Sequence, residues 1–376
     1  MSKQRKVAKR PAGEAFHWVA KGEGQTTGSS PECSLEEFRS SEWRHLPDGG
    51  SDTNKDYYFN SYARFGIHED MLKDQVRTGS YMRAILGSAE LFQGKTVLDI
   101  GSGTGILCLF AAKAGAKRVF GIECSDIAGH ATTIAKQNGY GEVITYIQGK
   151  AEEVELPVDK VDIIISEWMG YFLIYESMLD SVLFARDKWL KADGHMFPDH
   201  ARLYVAAAED ADYRADKIGF WNHIRGFEFS PLSSMVLQEP ISDIVDESSL
   251  VTPPCCVLEL DLCKCSTGDL DFLAPFSLRV ARKDFIHSLV VWFDVTFGAA
   301  SPAVVLSTAP SKPGTHWKQT VLYLDEPLVA HCGDAISGTL AVRKNLQNHR
   351  DLDVKLAYEL QGEVPKPSTI QYFRVR

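Results

Sequence analysis

The chain has 376 residues, of which 44% are hydrophobic and 24% charged, proportions typical of a globular protein with about two domains of ordinary size. Its net charge of −10 argues against a large nucleic-acid interface, which requires a basic face, and suits cationic partners. No apolar run approaches the roughly 20 residues of a membrane helix, and the polar first ten residues lack the apolar core of a secretory signal. We therefore expect an intracellular protein that binds neither membranes nor nucleic acid directly.

The chain contains eight cysteines, enough to raise the question of a metal site or of disulfides. Cys255, Cys256, Cys263 and Cys265 lie in a strand-rich stretch, in pairs closer together than the C-x-x-C spacing of zinc knuckles. Reduced thiols that pack as small apolar side chains are the simpler interpretation. We expect no metal.

Residues 1–52 are predicted to form a disordered tail. Gly, Ser, Lys and Glu are frequent in it, and periodic apolar positions are few. The basic run at 3–10 (KQRKVAKR) suits either a nuclear-import signal or a solubilising end. We expect the protein in the nucleus and the cytoplasm.

Residues 53–198 show strands alternating with helices. Aromatic residues at 57–62 open the region, and a helical pattern continues as far as Arg77. This rhythm predicts a parallel sheet with covering helices. Strands are predicted at 96–100, 118–123, 143–148 and 161–166, and helices at 106–114, 127–137 and 177–190, the last being closed by Gly194.

Residues 199–376 form a region of different character. Short β-rich runs follow one another with few helical segments between them, which predicts an antiparallel sandwich or barrel. One interruption, at 212–223, has a helical composition and carries Phe220 and Trp221. The chain is therefore expected to have a second, mainly β domain.

A glycine-rich turn follows the first predicted strand, where Asp99 precedes Gly101, Gly103 and Gly105. Such a turn lets a ligand approach the backbone, and Glu123 at the end of the next strand is placed to bind ribose hydroxyls. A nicotinamide enzyme would need its third glycine at Ile106, and a phosphate-binding loop would need a Gly-Lys-Ser/Thr sequence. The pattern favours S-adenosylmethionine, which carries no phosphate, over a dinucleotide.

Two glutamates bracket an aromatic, glycine-containing loop after the fourth predicted strand, at Glu167 and Glu176. Paired carboxylates can share a proton, bind a metal or bind a cation. A planar guanidinium fits best, because its five donors match carboxylates in bidentate pairs. Two ordinary surface glutamates remain the alternative at this stage.

Several separated motifs together resemble those of the protein arginine methyltransferase family, and within it the type I enzymes. The resemblance covers about 57–376 and includes the cofactor turn, the double-glutamate loop, the N-terminal lid helices and a threonine-histidine-tryptophan loop. The segments that carry it are 57–62, 76–78, 97–105, 166–176 and 315–319.

The resemblance implies a fold and an assembly. The expected α/β fold is a class I methyltransferase (Rossmann-like) domain at 53–198, followed by an antiparallel β-barrel domain at 199–376. A helical dimerisation arm at about 210–230 would join two subunits into a ring-shaped homodimer. The implied cofactor is S-adenosylmethionine.

The resemblance also implies roles for individual residues. Glu167 and Glu176 would grip the substrate guanidinium, while His316 and Asp74 would pair as a bridge between the domains and serve proton transfer. The remaining implied site residues bind the cofactor (His68, Arg77, Asp99, Gly101, Gly103, Glu123, Glu152 and Tyr62) or shape the space around the target nitrogen (Tyr58, Met71, Met178 and Trp317). Arg77 is expected on the methionine carboxylate, Glu123 on the ribose and Glu152 on the adenine amine.

Product and substrate follow from the same resemblance. Symmetric dimethylating enzymes place Phe where Met71 stands, and monomethylating ones depart within the double-glutamate loop. The sequence therefore implies monomethylarginine and then asymmetric dimethylarginine, on Gly-Arg-rich RNA-binding proteins and histones. Two alternatives stay open: a methyltransferase with another substrate, and an inactive scaffold that binds arginine-rich segments.

Overall fold

The computed structural model describes residues 65–376, so the predictions for the tail and for Tyr58 and Tyr62 lie outside the described residues. The described part begins with helices α1 (Phe65–Lys73), α2 (Gln75–Leu86) and α3 (Ala89–Phe92). Asp74 separates the first two helices and caps α2, because its side chain accepts a hydrogen bond from the Arg77 N–H at 2.9 Å.

A parallel sheet with strand order β3-β2-β1-β4-β5 follows, as the alternating pattern predicts. Its strands are β1 (Thr96–Ile100), β2 (Arg118–Glu123), β3 (Ile144–Gln148), β4 (Val161–Ser166) and β5 (Leu190–Phe197), and its helices are α4 (Ile106–Lys113), α5 (Ile127–Gln137) and α6 (Met178–Trp189).

The order of these strands determines where a ligand can bind. The chain moves outward from β1 to β3 and then returns to the other side of β1, so a topological switch lies between β1 and β4. Ile100 pairs with Ser166 at the carboxyl ends of the two strands, and the Ser166 hydroxyl donates to the Ile100 carbonyl at 2.8 Å. The glycine-rich turn and the double-glutamate loop therefore start side by side.

The helix predicted over 177–190 is confirmed and is one residue shorter at each end, but its predicted closure by Gly194 is wrong. A short 3₁₀ turn, Tyr175–Ser177, precedes α6, and β5 begins directly after Trp189. Gly194 lies inside β5 and does not close a helix; a Cβ there would come within 2.9 Å of the Asp162 carbonyl on β4. The glycine permits close approach of two strands.

The second region is built from antiparallel sheets. One has the path β7-β12-β10-β6-β8 with β11 on β10, and the other has the order β15-β14-β13-β9. Their strands are β6 (His200–Ala208), β7 (Ile241–Asp243), β8 (Cys255–Asp261), β9 (Phe272–Arg279), β10 (Asp284–Phe297), β11 (Val304–Ser307), β12 (Gln319–Ala330), β13 (Ala335–Lys344), β14 (Leu352–Gln361) and β15 (Lys366–Val375). One apolar core runs from the parallel sheet into both antiparallel sheets.

A helical segment connects β6 to β7. It contains α7 (Ala211–Lys217), 3₁₀ turns at Gly219–Asn222 and Ser230–Leu232, and α8 (Ser233–Leu237). The segment is thus longer than the predicted 210–230, and the predicted helix at 212–223 is α-helical only in its first half. Large apolar side chains point outward from it, with Phe220 54% and Phe227 71% exposed. None of the helices within 65–376 is long and apolar enough to span a membrane.

Candidate active site

A cavity of about 1370 Å³ opens at the carboxyl ends of β1, β2 and β4. It extends from the glycine-rich turn to the double-glutamate loop and is closed on one side by α1 and on another by the loop before β12. The predicted site residues that line it are His68, Met71, Asp74, Arg77, Gly101, Gly103, Glu123, Glu152, Glu167, Glu176, Met178, His316 and Trp317. Residues separated by almost 250 positions thus share one cavity.

The glycine-rich turn has the shape that its sequence predicts. Gly101 and Gly103 have φ angles of 71° and 52°, a conformation that glycine adopts without strain. A Cβ at Gly101 would collide with the Met178 side chain, and one at Gly103 would come within 3.3 Å of the His68 ring. The Gly103 N–H donates to a Glu123 oxygen at 2.8 Å. The turn thereby holds Glu123 at the end of β2.

Asp99 lies fully buried at this turn. Its Oδ2 accepts a hydrogen bond from the Cys108 thiol at 3.2 Å, while Oδ1 is buried and receives no hydrogen bond from residues 65–376. Burial raises the pKa of Asp99 to about 7. An ammonium group would supply the missing donor and the counter-charge. Together with Glu123, this unsatisfied carboxylate fits the methionyl and ribose ends of S-adenosylmethionine.

Glu167 is bound by a guanidinium that belongs to the chain itself. Arg77 donates from Nε at 2.7 Å and lies with Nη2 at 2.6 Å, both to Glu167 Oε2. The two side chains are only 8% and 7% exposed, so the pair is shielded from water. The role of Arg77 on the cofactor carboxylate stays a prediction, and its ion pair with Glu167 leaves no pattern in the sequence.

The loop between the two glutamates is folded back on itself. Phe172, Leu173 and Glu176 all have positive φ angles, the last at 75°, which non-glycine residues adopt only when their surroundings enforce it. A Cβ at Gly170 would collide with the Tyr175 carbonyl, so the fold of this loop requires glycine there. The reversal returns Glu176 to the cavity that Glu167 already lines.

Two aromatic residues support the first half of this loop. The Tyr81 hydroxyl donates to the Ser166 carbonyl at 2.8 Å, and the Trp317 indole N–H donates to the Met169 carbonyl at 2.8 Å. Trp317 is buried and packs edge-on against Phe293 at 5.4 Å. Trp317 therefore supports the loop from the β domain in addition to lining the cavity.

The second half of the loop is held by residues that the sequence analysis missed. Glu176 donates its N–H to the Arg350 carbonyl at 2.9 Å, and Arg350 Nη1 donates to the Glu176 carbonyl at 2.7 Å. The Ser177 hydroxyl donates to the His349 carbonyl at 2.5 Å. No local sequence pattern distinguishes His349 or Arg350, because their roles arise only from tertiary contact.

His316 and Asp74 form the expected bridge. His316 Nδ1 lies 2.7 Å from Asp74 Oδ2, which also accepts the His316 N–H at 2.9 Å. Burial alone would raise the pKa of Asp74, but the hydrogen bonds from His316 and from the Arg77 N–H lower it below its usual value. The aspartate is ionised at neutral pH and links α2 to the loop before β12.

The other predicted residues occupy the cavity wall. Glu152 accepts a hydrogen bond from the Ser181 hydroxyl at 2.6 Å, which orients it beside α6. The Met71 carbonyl accepts a hydrogen bond from Thr78 Oγ1 at 3.0 Å. Met71 and Met178 line the cavity, and their influence on the product stays a prediction.

Two family models match the chain along its length. A methyltransferase domain matches residues 97–194. A model described as the arginine methyltransferase oligomerization subdomain matches residues 199–363. The matches meet near the junction of the parallel and antiparallel sheets, so the predicted fold class is confirmed.

Known proteins resemble the chain over most of its length. It is 48% identical over 360 residues to protein arginine N-methyltransferase 1.1 of Arabidopsis thaliana, covering 95% of this chain and 92% of that protein. It is 51% identical to protein arginine N-methyltransferase 1 of Chlamydomonas reinhardtii, covering 87% and 95%.

Two solved structures show the same architecture. The Trypanosoma brucei PRMT1 enzyme-prozyme heterotetrameric complex with AdoHcy matches with a TM-score of 0.82 and 44% identity, over 84% of this chain and 100% of that one. Protein arginine methyltransferase 10 of Arabidopsis thaliana, described in an open conformation, matches with a TM-score of 0.77 and 31% identity, over 85% and 100%. The chain belongs to the protein arginine N-methyltransferase family.

Proposed function

We propose that this protein transfers methyl groups from S-adenosylmethionine to the terminal nitrogens of arginine side chains in proteins, forming monomethylarginine and then asymmetric dimethylarginine. One observation carries the proposal. Glu167 and Glu176 line the same cavity as the glycine-rich turn, although eight residues separate them, two of which, Phe172 and Leu173, have positive φ angles. A fold that keeps both residues in one cavity allows two carboxylates to reach one ligand.

Glu167 already binds a guanidinium in this structure, the same group that an arginine substrate carries. Its contacts with the Arg77 guanidinium are short and almost fully shielded from water, and charge-assisted hydrogen bonds gain strength under those conditions. Both Arg77 contacts use Oε2. A carboxylate that accepts one guanidinium in this way is suited to accept a second on its other oxygen.

The role of the carboxylates in the reaction follows from the chemistry of arginine. S-adenosylmethionine supplies an electrophilic methyl group when it is bound. Glu167 and Glu176 would orient the guanidinium and draw its positive charge away from the attacking nitrogen. Because carboxylates stabilise the charged guanidinium, its proton leaves during or after methyl transfer, to Glu176 or through the pair of His316 and Asp74.

The proposal also includes the oligomeric state, the protein substrates and the cellular location of the enzyme. The match to an oligomerization subdomain and the exposed apolar residues of the segment at 211–237 support a homodimer formed through that segment. The net charge of −10 suits arginine-rich substrates such as Gly-Arg-rich RNA-binding proteins and histones. Residence in nucleus and cytoplasm remains a prediction from the basic run at 3–10.

The proposal is tested with purified protein, S-adenosylmethionine and a Gly-Arg-rich peptide, with a Lys-for-Arg version as control. Adenosylhomocysteine should form only with the arginine peptide, and fragmentation mass spectrometry should show asymmetric dimethylarginine. Methylation of both peptides would refute specificity for arginine. Symmetric product would refute the type I assignment alone, and no turnover on any arginine substrate would refute the activity.

A further inference from the structure

We propose that Arg350, on the hairpin loop between β13 and β14, is a positioning residue for the Glu176 carboxylate. The inference rests on the proposed function of the double-glutamate loop and extends it to the β domain. Arg350 is hydrogen-bonded to the backbone N–H and the backbone carbonyl of Glu176, so it can set the direction of that residue. Arg350 also lines the cavity.

Glu176 requires external support because its backbone is strained. Its φ and ψ angles are 75° and −12°, and those of Ser177 are 56° and 24°. Two consecutive non-glycine residues in the left-handed region would relax if nothing held them. A relaxed backbone would turn the Glu176 side chain away from its present direction, and Glu176 would no longer line the cavity together with Glu167.

Arg350 supplies this support from both sides of Glu176. The Glu176 N–H donates to the Arg350 carbonyl at 2.9 Å, and the Arg350 guanidinium donates to the Glu176 carbonyl at 2.7 Å. The Ser177 hydroxyl adds a third bond, to the His349 carbonyl. Three hydrogen bonds therefore hold the strained backbone of Glu176 and Ser177. They involve the Glu176 N–H, the Glu176 carbonyl and the Ser177 side chain.

The loop that carries Arg350 is itself tightly bonded. The Asn345 side-chain oxygen accepts the N–H groups of Gln347 and Asn348, each at 2.9 Å. The Asn345 side-chain NH₂ donates to Asp353 at 2.9 Å, and the Asn348 side-chain NH₂ donates to Asp351 at 2.8 Å. These bonds fix the loop independently of Glu176, as a positioning element requires.

A second tether joins the same hairpin to the helix after the double-glutamate loop. Lys344, the last residue of β13, contacts both oxygens of Asp180 at 2.6 and 2.5 Å. Asp180 lies in the first turn of α6. The hairpin is thus bonded to Glu176 and to Asp180. The two contacts hold the start of α6 against the β domain.

The test uses Arg350→Ala and Arg350→Lys, with Arg202→Ala as matched control. Arg202 also belongs to the β domain and pairs with Glu259 at 2.6 Å, on the surface and outside the cavity lining. Titration with adenosylhomocysteine counts the sites that retain a folded cofactor pocket. Turnover on the arginine peptide is then expressed per competent site.

We expect Arg350→Ala to lower kcat per site by about 10- to 100-fold, because misplacing a catalytic group by about 1 Å has an effect of that size. The affinity for adenosylhomocysteine should stay within about twofold of wild type, since the hydrogen bonds of Arg350 to Glu176 lie outside the glycine-rich turn. Arg350→Lys keeps a donor for the Glu176 carbonyl and should recover part of the loss. Arg202→Ala should behave as wild type.

Two outcomes would overturn the inference. One is a wild-type kcat per site in Arg350→Ala; the other is a parallel loss of cofactor affinity, thermal stability and kcat, which indicates a merely structural residue. If Arg350→Ala fails to fold, Ser177→Ala is used in its place. It removes the hydrogen bond to the His349 carbonyl and must lower kcat per site on its own. Failure of the proposed function is recognised separately, since the wild-type protein would then be inactive.

Discussion

Asp99 gives the most direct prediction, because its charge state should depend on whether a positively charged ligand group lies beside it. The carboxyl is fully buried, one of its oxygens lacks a hydrogen bond within the described part of the chain, and its pKa is raised from 3.8 to about 7. An ammonium group beside it would stabilise the ionised form and lower this pKa again. Binding of adenosylhomocysteine, which carries that ammonium, should therefore release a proton below pH 7.

The size of the effect follows from the pKa. Below about pH 7 the proton must leave before the ion pair forms, so the Kd for adenosylhomocysteine should rise about tenfold for each unit that the pH falls. Above pH 7 the Kd should be nearly constant. At pH 6 close to one proton should be released per ligand bound, which calorimetry in buffers of different ionisation enthalpy measures directly.

The same pKa makes a prediction for the protein without ligand. A carboxyl whose folded pKa lies above its unfolded value binds its proton more tightly in the folded state. This contribution to the free energy of unfolding is complete below about pH 4 and is lost as the pH rises to 7. The difference between 3.8 and about 7 corresponds to about 4 kcal/mol. Asp99→Asn should flatten this part of the stability profile.

Two variants separate Asp99 from its neighbours. Asp99→Asn should bind adenosylhomocysteine weakly at every pH and lose the slope below pH 7. His68 lines the cavity next to Gly103, and His68→Gln should leave the pH dependence of the Kd in place. A wild-type Kd that is constant from pH 5.5 to 7, or a slope that survives Asp99→Asn, would refute the reasoning.

Three further predictions concern the rest of the site. Glu167→Gln should lower kcat by at least about a thousandfold with the affinity for adenosylhomocysteine preserved, while the exposed control Glu155→Gln keeps full activity; wild-type rates in Glu167→Gln on an arginine peptide would contradict its role. Asp74→Asn should lower the free energy of unfolding by about 1–3 kcal/mol in denaturant titrations. Because the pKa of Asp74 is lowered in the fold, its contribution to the free energy of unfolding should be present above about pH 4 and lost in more acidic solution. If Asp74→Asn lost as much stability on acidification as the wild-type protein, this explanation would be wrong. Phe227→Glu in the exposed segment at 211–237 should convert the proposed homodimer to a monomer in light scattering, and a dimer that persists would place the interface elsewhere.

The residues that could be predicted from sequence are those whose chemistry is local. The turn at Gly101 and Gly103 needs its glycines whatever surrounds it, since positive φ angles and the lack of space for a Cβ are properties of the turn. Glu123 ends a strand with an apolar interior. Such features leave a pattern within a few residues, and the structure brings them together as expected.

Elements that depend on the rest of the fold leave no such pattern. The strand β5 lies at the edge of its sheet and exposes most of its first half, so Lys191 to Gly194 look like the polar end of a helix. The same limitation applies to Arg350, whose partner Glu176 is 174 positions away. The ion pair of Arg77 with Glu167 joins residues 90 positions apart. Only a three-dimensional arrangement reveals these contacts.

These long-range contacts explain why neither domain can form the site alone. Glu167 follows strand β4 of the parallel sheet and is bound by Arg77 on α2. Asp74, which caps α2, is bonded to His316 of the β domain. Glu176 reaches the same cavity only because the β13–β14 hairpin holds its strained backbone. The placement of both glutamates in one cavity is therefore a property of the junction between the domains, and a disturbance of that junction should weaken arginine binding before it affects the glycine-rich turn.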